Sequence, residues 1–175
     1  MELIEIEGNL LETECTVIAH QVNCMGVMGS GVAKAIKNKW IDVFLEYLKG
    51  IQTLDHNCLG GCFIVPAEEN KYVANLFGQY FYNGYFNDQE LYMKQELWKR
   101  PGLDENGNLR FTNYEALYTS LERLKEEMVK YGVNSVAFPY GMGAVRGGGN
   151  WEVIKKMIEE IFKNTNIKVE IRKLT

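Results

Sequence analysis

The chain lacks a long apolar run, a basic excess and a secretion signal, and each absence argues against a class of protein. No apolar stretch among its 175 residues approaches the roughly 20 that span a bilayer. The formal net charge of −4 argues against broad nucleic-acid binding, although a single nucleotide needs only a local pocket. Residues 1–7 alternate acidic and apolar side chains, unlike a signal peptide. We therefore expect a cytoplasmic protein without a membrane segment.

Cysteine and histidine are too sparse for a recognisable metal site. Cys15, Cys24, Cys58 and Cys62 form no C-x-x-C pair, so we expect reduced thiols that serve as small core residues. His56 adds a third possible ligand to Cys58 and Cys62, but their spacing fits no common zinc pattern. The sequence predicts neither a metal nor another cofactor.

A dinucleotide-dependent oxidoreductase is the weakest of the functions that we considered. No G-x-G-x-x-G segment follows the first predicted strand, and no acidic residue stands at the end of the next one. The pattern that a nicotinamide cofactor requires is therefore missing.

The apolar pattern predicts one α/β domain in which strands alternate with helices. The length suits a single core. Strands separated by helices favour a largely parallel sheet with helices on both faces. The predicted strands cover residues 3–6, 16–19, 62–65, 72–77, 135–138 and 168–172.

Three segments have the pattern of helices. Apolar residues at every fourth position from Val32 to Leu48 predict one helix over residues 30–49. Residues 112–115 have the S/T-x-x-E form of a capping box, which predicts a helix to about Tyr131. Asn150 is placed to cap a last helix.

Two glycine-rich segments, residues 19–33 and 138–151, each follow a predicted strand and lead into a predicted helix. Glycine lets backbone amides approach a ligand, and the start of a helix adds free N–H groups. In parallel sheets, ligands bind beyond the carboxyl ends of strands. The two segments therefore predict a cradle for an anionic ligand, such as a phosphate ester or a diphosphate.

Residues 78–111 fit the strand and helix pattern poorly. They hold seven aromatic residues up to Trp98 and then a polar turn. A long loop in a compact domain tends to be functional, so this insert is either a lid over the pocket or an oligomer contact. We slightly favour the lid.

The chain resembles a macrodomain over nearly its whole length. The resemblance rests on Gly8-Asn9-Leu10, on residues 20–33 and on residues 139–151, which occur in the family's order and spacing. It is most similar to the branch that holds ADP-ribose 1''-phosphate phosphatases, terminal ADP-ribose protein glycohydrolases and antitoxins that remove ADP-ribose from DNA. The resemblance implies a three-layer α-β-α sandwich around a mixed, largely parallel sheet. It makes residues 1–175 a single macrodomain with the insert at about 78–111.

The resemblance also implies that the ligand is an ADP-ribose derivative or an ADP-ribosylated macromolecule. By position, Asn9 would contact adenine and Asn23 the distal ribose, while both glycine segments would hold the diphosphate. A turn residue at Asn9, and glycines that only make tight turns, remain the structural alternatives. The implied ligand-binding residues are Asn9, Leu10, Asn23, Gly29, Ser30, Gly31, Val32, Gly143, Ala144, Val145, Arg146, Gly147 and Gly148.

The implied catalytic residues are His20, Gln79 and Asp88. His20 matches a histidine implicated in the phosphatases, although a lone histidine at a strand end is often structural. Gln79 and Gly147 stand at or near positions where related hydrolases have lysine and aspartate, so that chemistry is disfavoured here. Gln79 remains able to orient a water molecule, and Asp88 lies in the insert, where a loop carboxylate is often only solvated.

Two functions therefore compete at the level of sequence. The first, which we slightly favour, is a hydrolase resembling the ADP-ribose 1''-phosphate phosphatases, supported by His20 and by a phosphate contact from Arg146. The second is a non-catalytic module that reads or sequesters ADP-ribose or a similar signal, supported by the missing lysine and aspartate.

Overall fold

The computed structural model describes residues 1–174, and its centre is a six-stranded sheet in the order β1-β8-β7-β2-β4-β3. Strand β3 runs antiparallel to β4, whereas the other neighbours are parallel. The strands of this sheet are β1 Glu2–Glu7, β2 Val17–Val22, β3 Cys62–Glu68, β4 Lys71–Phe77, β7 Ser135–Pro139 and β8 Lys168–Lys173. A separate two-stranded ribbon pairs β5 Gly102–Leu103 with β6 Leu109–Arg110.

Helices cover both faces of the sheet. They are α1 Gly31–Lys39, α2 Ile41–Thr53, α3 Gln89–Met93, α4 Tyr114–Lys130 and α5 Trp151–Phe162, with a 3₁₀ turn at Leu10–Glu12. Helices α4 and α5 pack on one face, in a core cluster that includes Val17 and Ala19 of β2. Helices α1 and α2 pack on the other, in clusters that include Ile18 and Val22. Side chains of β2 thus point alternately into the cores on the two faces of the sheet, which confirms the predicted three-layer α/β class.

The parallel pairing of β2 with β7 places the two glycine-rich segments at the same edge of the sheet. Val17 pairs with Val136 and Ile18 with Ala137, so both strands run toward that edge side by side. Each glycine-rich segment continues from the carboxyl end of one of these strands. The sheet topology thus brings together segments that are more than 100 residues apart in the sequence.

The single helix predicted for residues 30–49 is in fact two helices, and the prediction was wrong at Trp40. The backbone of Trp40 leaves the helical region, with φ −133° and ψ 81°, and its indole Nε1 donates to Glu68 Oε2 at 3.1 Å. Positions four apart drift by about 40° around a helix, so the stripe cannot stay on one face over the four steps from Val32 to Leu48. Instead Ile36 packs in one core cluster and Leu48 against another.

The capping box predicted at Thr112 was also wrong by one residue. Asn113 is the N-cap of α4, and its Oδ1 accepts from the amide of Ala116 at 3.0 Å. The Thr112 hydroxyl instead donates to the Gly143 carbonyl at 2.6 Å. The other helix boundaries are confirmed: Gly132, with φ +67°, follows the end of α4, and Asn150 caps α5.

The insert is more ordered than a structureless loop. It contains α3 and the β5–β6 ribbon, and its two ends are part of the core. Tyr80, Phe81 and Phe111 are almost fully buried in the cluster on the α2 side, and the Phe81 ring stacks on Tyr85 with centroids 4.7 Å apart. These aromatic residues therefore anchor the insert to the domain.

Within residues 1–174, no helix combines the length and apolar character that a membrane span requires. Cys15, Cys24 and Cys58 are buried thiols, as expected of small core residues, and Cys62 is half-buried.

Replacing Asn113 with alanine tests the observed cap. Asn113→Ala removes the acceptor for the Ala116 amide and should lower the free energy of unfolding by about 0.5–2 kcal/mol. Urea denaturation measures the change. Asn113→Asp keeps a capping oxygen and should stay within about 0.5 kcal/mol of the parent; equal losses in both variants would contradict this assignment.

Candidate functional site

A cleft of about 330 Å³ opens between the two glycine-rich segments at the carboxyl ends of β2 and β7. Its position agrees with the site predicted from the glycine pattern. The lining residues are His20, Gln21, Val22, Asn23, Val27, Gly29, Ser30, Gly31, Val32, Ala33, Gln79, Tyr82, Asn83, Pro139, Tyr140, Gly141, Met142, Gly143, Val145, Arg146 and Gly147.

Asn23 organises the first glycine-rich segment from inside. Its Oδ1 accepts from the amides of Met25 and Val27 at 3.0 and 3.3 Å, and the Tyr47 hydroxyl donates to its backbone carbonyl at 2.7 Å. Its Nδ2 donates to the Val27 carbonyl at 2.9 Å. The two amides occupy both lone pairs of the Asn23 side-chain oxygen. Asn23 thus holds the loop in shape, and only one N–H of its amide remains to be used.

Helix α1 begins in the wall of the cleft and presents unpaired amides there. Ser30 is its N-cap but makes no side-chain capping hydrogen bond. Gly31, Val32 and Ala33, the first three residues of α1, all line the cleft. The amides of a first helical turn lack intrahelical acceptors, and the helix dipole adds positive potential. The arrangement suits a phosphate or another anion.

The second glycine-rich segment is held by a network of backbone hydrogen bonds. The Gly149 amide donates to the Gly143 carbonyl at 2.9 Å, and the Thr112 amide donates to the Gly147 carbonyl at 2.9 Å. Gly143 has φ +75°, a conformation that favours glycine. A Cβ atom on Gly147 would overlap Thr112 Oγ1 and lie 2.5 Å from the Gly143 carbonyl oxygen. Position 147 therefore has no room for a side chain.

Arg146 carries the only fixed charge among the described residues that line this cleft. Its side chain is exposed, and its Nε lies 3.8 Å from the position that a Cβ on Gly31 would occupy. The guanidinium thus lies close to the start of α1, where it reinforces the positive potential. Asn83 Nδ2 of the insert donates to the Arg146 carbonyl at 2.9 Å and joins the insert to this segment.

His20 is a neutral, buried histidine with one free nitrogen. It is 1% exposed, and its Nε2 lies 2.7 Å from Asn75 Oδ1. Asn75 Nδ2 donates to the Phe63 carbonyl, so Oδ1 is an acceptor and His20 Nε2 carries the proton. Burial lowers the pKa of His20 to about 4. Its Nδ1, which has no partner within residues 1–174, is left with a free lone pair.

Gln21, at the end of β2, links Gln79 of the insert to Thr112, which lies just before α4. Its Nε2 donates to Gln79 Oε1 at 2.7 Å and to Thr112 Oγ1 at 2.8 Å. Gln79 Nε2 in turn donates to the Phe81 carbonyl at 2.8 Å. The sequence analysis assigned no role to Gln21, and the only available signal was its place beside His20 at the end of β2.

Several residues predicted for the site lie outside the cleft lining. Asn9 Oδ1 accepts from the Leu11 amide at 2.9 Å, and Leu10 is a core residue. Ala144 and Gly148 flank lining residues of the second segment without lining the cleft themselves. Asp88 is exposed and caps α3 through a 2.7 Å hydrogen bond from the Leu91 amide, so the structure does not bring it to the cleft.

The remaining predicted residues do meet in the cleft, together with lining residues that the sequence analysis missed. Val27, Tyr82, Asn83 and Tyr140 are among the latter. Along this lining, as far as residues 1–174 show, there is no carboxylate and no lysine. A reaction here would depend on His20, on Arg146, or on the hydroxyls and amides of the lining, including Ser30.

Comparison with known proteins points to one family. The family model described as Macro domain matches residues 19–99. A DNA ADP-ribosyl glycohydrolase from Thermus aquaticus is 25% identical over 158 residues, which cover 89% of this chain and 36% of that protein. An ADP-ribose 1''-phosphate phosphatase from Saccharomyces cerevisiae is 26% identical over 68 residues, 38% of each chain. The chain thus spans little more than a third of either relative.

A solved structure extends the likeness to the whole fold. The macrodomain of Thermus aquaticus DarG superposes with a TM-score of 0.72 at 24% identity, covering 97% of each chain. At this identity the likeness is evidence for the fold alone.

The buried His20 predicts a specific loss of stability in acid. Its pKa is about 4 in the folded chain and 6.5 when unfolded, so between these values the unfolded chain binds more protons. Stability from this group is present above pH 6.5 and is lost as the pH falls toward 4, by roughly 2–3 kcal/mol at pH 4.5.

Urea denaturation at pH 7 and pH 4.5 measures this loss. His20→Gln should show a smaller difference between the two pH values, because glutamine does not titrate. His56→Asn, which changes the only other histidine, serves as the matched control. Equal acid sensitivity in the parent and His20→Gln would contradict the assignment.

Proposed function

Because this chain belongs to the macrodomain family, we propose that it binds ADP-ribose or a derivative in the cleft between its glycine-rich segments. The observation that carries the proposal is the convergence of the first turn of α1, the second glycine-rich segment and Arg146 on one space. These groups supply amide donors and a cation, which suit a diphosphate. The adenine would then lie beyond the cleft lining, toward Asn9 and Leu10.

We further propose hydrolysis of a phosphate ester at the distal ribose, with His20 as the proton acceptor. Neutral Nδ1 takes a proton from a water molecule, the water oxygen bonds to phosphorus, and the bond from phosphorus to the 1''-oxygen breaks. The proton on His20 then passes to the departing 1''-oxygen. Arg146 binds the phosphate, and Gln79 orients the water. Because Nδ1 is buried, this step requires the lining beside His20 to open enough to admit one water molecule, whereas direct attack on phosphorus by His20 would require a larger opening.

Binding without turnover is the second candidate function. It is favoured by the absence of any carboxylate or lysine from the lining of the cleft in the described part of the chain. Such a module would read or sequester ADP-ribose groups. A lysine and aspartate mechanism is disfavoured for a steric reason as well, because position 147 has no room for a side chain.

Turnover of ADP-ribose 1''-phosphate distinguishes the two functions. We expect released phosphate from the parent protein, and a loss of about 10²–10⁴-fold in kcat for His20→Gln with ADP-ribose binding retained. With a pKa of about 4 for His20, the rate should be flat from pH 5 to 8 and fall in more acidic buffer. Calorimetric binding of ADP-ribose without any released phosphate would establish the second candidate.

An ADP-ribosylated DNA oligonucleotide is the informative second substrate, since the Thermus aquaticus relative is named for that activity. Release of ADP-ribose from the DNA, with no release of phosphate from ADP-ribose 1''-phosphate, would replace the phosphatase proposal with a glycohydrolase.

Restoring the missing lysine and aspartate should fail. Gly147→Asp forces a side chain against Thr112 Oγ1 and should cost about 1–3 kcal/mol of unfolding free energy. The double variant Gln79→Lys with Gly147→Asp should therefore not hydrolyse ADP-ribosylated carboxylates. Val145→Asp places the same charge on a residue that is 85% exposed and should be tolerated. A stable, active double variant would show that the loop has room after all.

A further inference from the structure

We propose that Asn83 is a positioning residue for the cleft, because its side-chain amide holds the tip of the second glycine-rich segment, residues 145–147, in the shape that receives an anionic ligand. This inference rests on the proposed function, since it concerns the segment that we assign to the diphosphate. It gives the insert a part in ligand binding that is neither that of a lid nor that of an oligomer contact.

The tip of the segment carries donors that the protein itself leaves unused. The amides of Val145, Arg146 and Gly147 make no hydrogen bond to a main-chain acceptor within residues 1–174, and all three residues line the cleft. Successive unpaired amides in a turn attract an anion. The Arg146 guanidinium adds a cation beside the start of α1. Binding of an anion here therefore depends on how firmly the tip is held.

The base of the segment is supported from several sides, whereas the tip is not. At the base, Thr112 bonds to the carbonyls of Gly143 and Gly147. For Val145 and Arg146, the hydrogen bond from Asn83 is the only one to their main chain that residues 1–174 provide. Asn83 thus supplies the support that the rest of the segment lacks.

Asn83 itself belongs to a rigid part of the insert. The Tyr85 amide donates to the Tyr82 carbonyl at 3.1 Å and closes the turn that contains Asn83. Phe81, which precedes this turn, is 2% exposed, and its ring stacks on Tyr85. The turn is therefore anchored in the core and can hold the tip in place.

The same hydrogen bond fixes the direction of the Arg146 carbonyl. Asn83 Nδ2 donates to this oxygen at 2.9 Å, so the oxygen faces the insert. A carbonyl oxygen that turned toward a diphosphate would repel it. Because Gly147 lacks a Cβ atom, rotation of the peptide that joins it to Arg146 meets little steric resistance. The contact with Asn83 is what opposes that rotation.

Replacing Asn83 with alanine tests this role with two ligands that share a diphosphate. Calorimetry should show that Asn83→Ala binds ADP and ADP-ribose each roughly 3–10-fold more weakly than the parent. Backbone ¹⁵N relaxation of the ligand-free protein should show greater motion of the amides of residues 145–147. Asn87→Ala, which changes another exposed asparagine of the insert, should alter neither measurement.

Four results would contradict these expectations. Equal ADP affinities for Asn83→Ala and Asn87→Ala would overturn the proposal. A loss confined to ADP-ribose would also overturn it, because it would indicate a contact with the distal ribose. Weaker binding without added motion of residues 145–147 would overturn it as well. A parent protein that binds neither ligand would refute the proposed function, while the relaxation of the ligand-free protein would still decide whether Asn83 holds the tip.

Discussion

The site depends on the parallel pairing of β2 with β7. Because neighbouring parallel strands end at the same edge, the segments that follow them must begin next to each other. Each segment then turns into a helix, α1 in one case and α5 in the other, so the space between them is walled by glycine backbone and open to one side. A different strand order would leave two unrelated loops and no cleft.

Both loops are shaped by internal hydrogen bonds before any ligand arrives. Asn23 and Tyr47 hold the first, and Thr112 holds the second through the carbonyls of Gly143 and Gly147. Some polar side chains that a sequence comparison would assign to ligand binding, such as Asn23, already make hydrogen bonds within the protein. Because the conformational cost of ordering these loops is met during folding, less is subtracted from the binding free energy.

Much of the fold was predictable from local pattern, whereas the hydrogen bonding of the site was not. Strand positions, the glycine-rich segments and the cap at Asn150 follow from residue type and spacing within a few positions. The break at Trp40 depends on Glu68, a partner 28 residues away, which no local pattern contains. Thr112 looked like a cap because the S/T-x-x-E spacing is local, but its hydroxyl bonds to Gly143 across the fold. Gln21 had no recognisable signal, since its hydrogen-bond partners Gln79 and Thr112 are distant in sequence.

The insert meets the second glycine-rich segment through Asn83 and the main-chain oxygen of Arg146. That contact makes no demand on the side chain at position 146, which projects separately toward α1. Architecture and charge are therefore uncoupled at this residue: a neutral or acidic side chain at position 146 would leave the hydrogen bond from Asn83 in place. Substitutions at position 146 would consequently change the charge presented to the proposed anionic ligand while the scaffold stays the same.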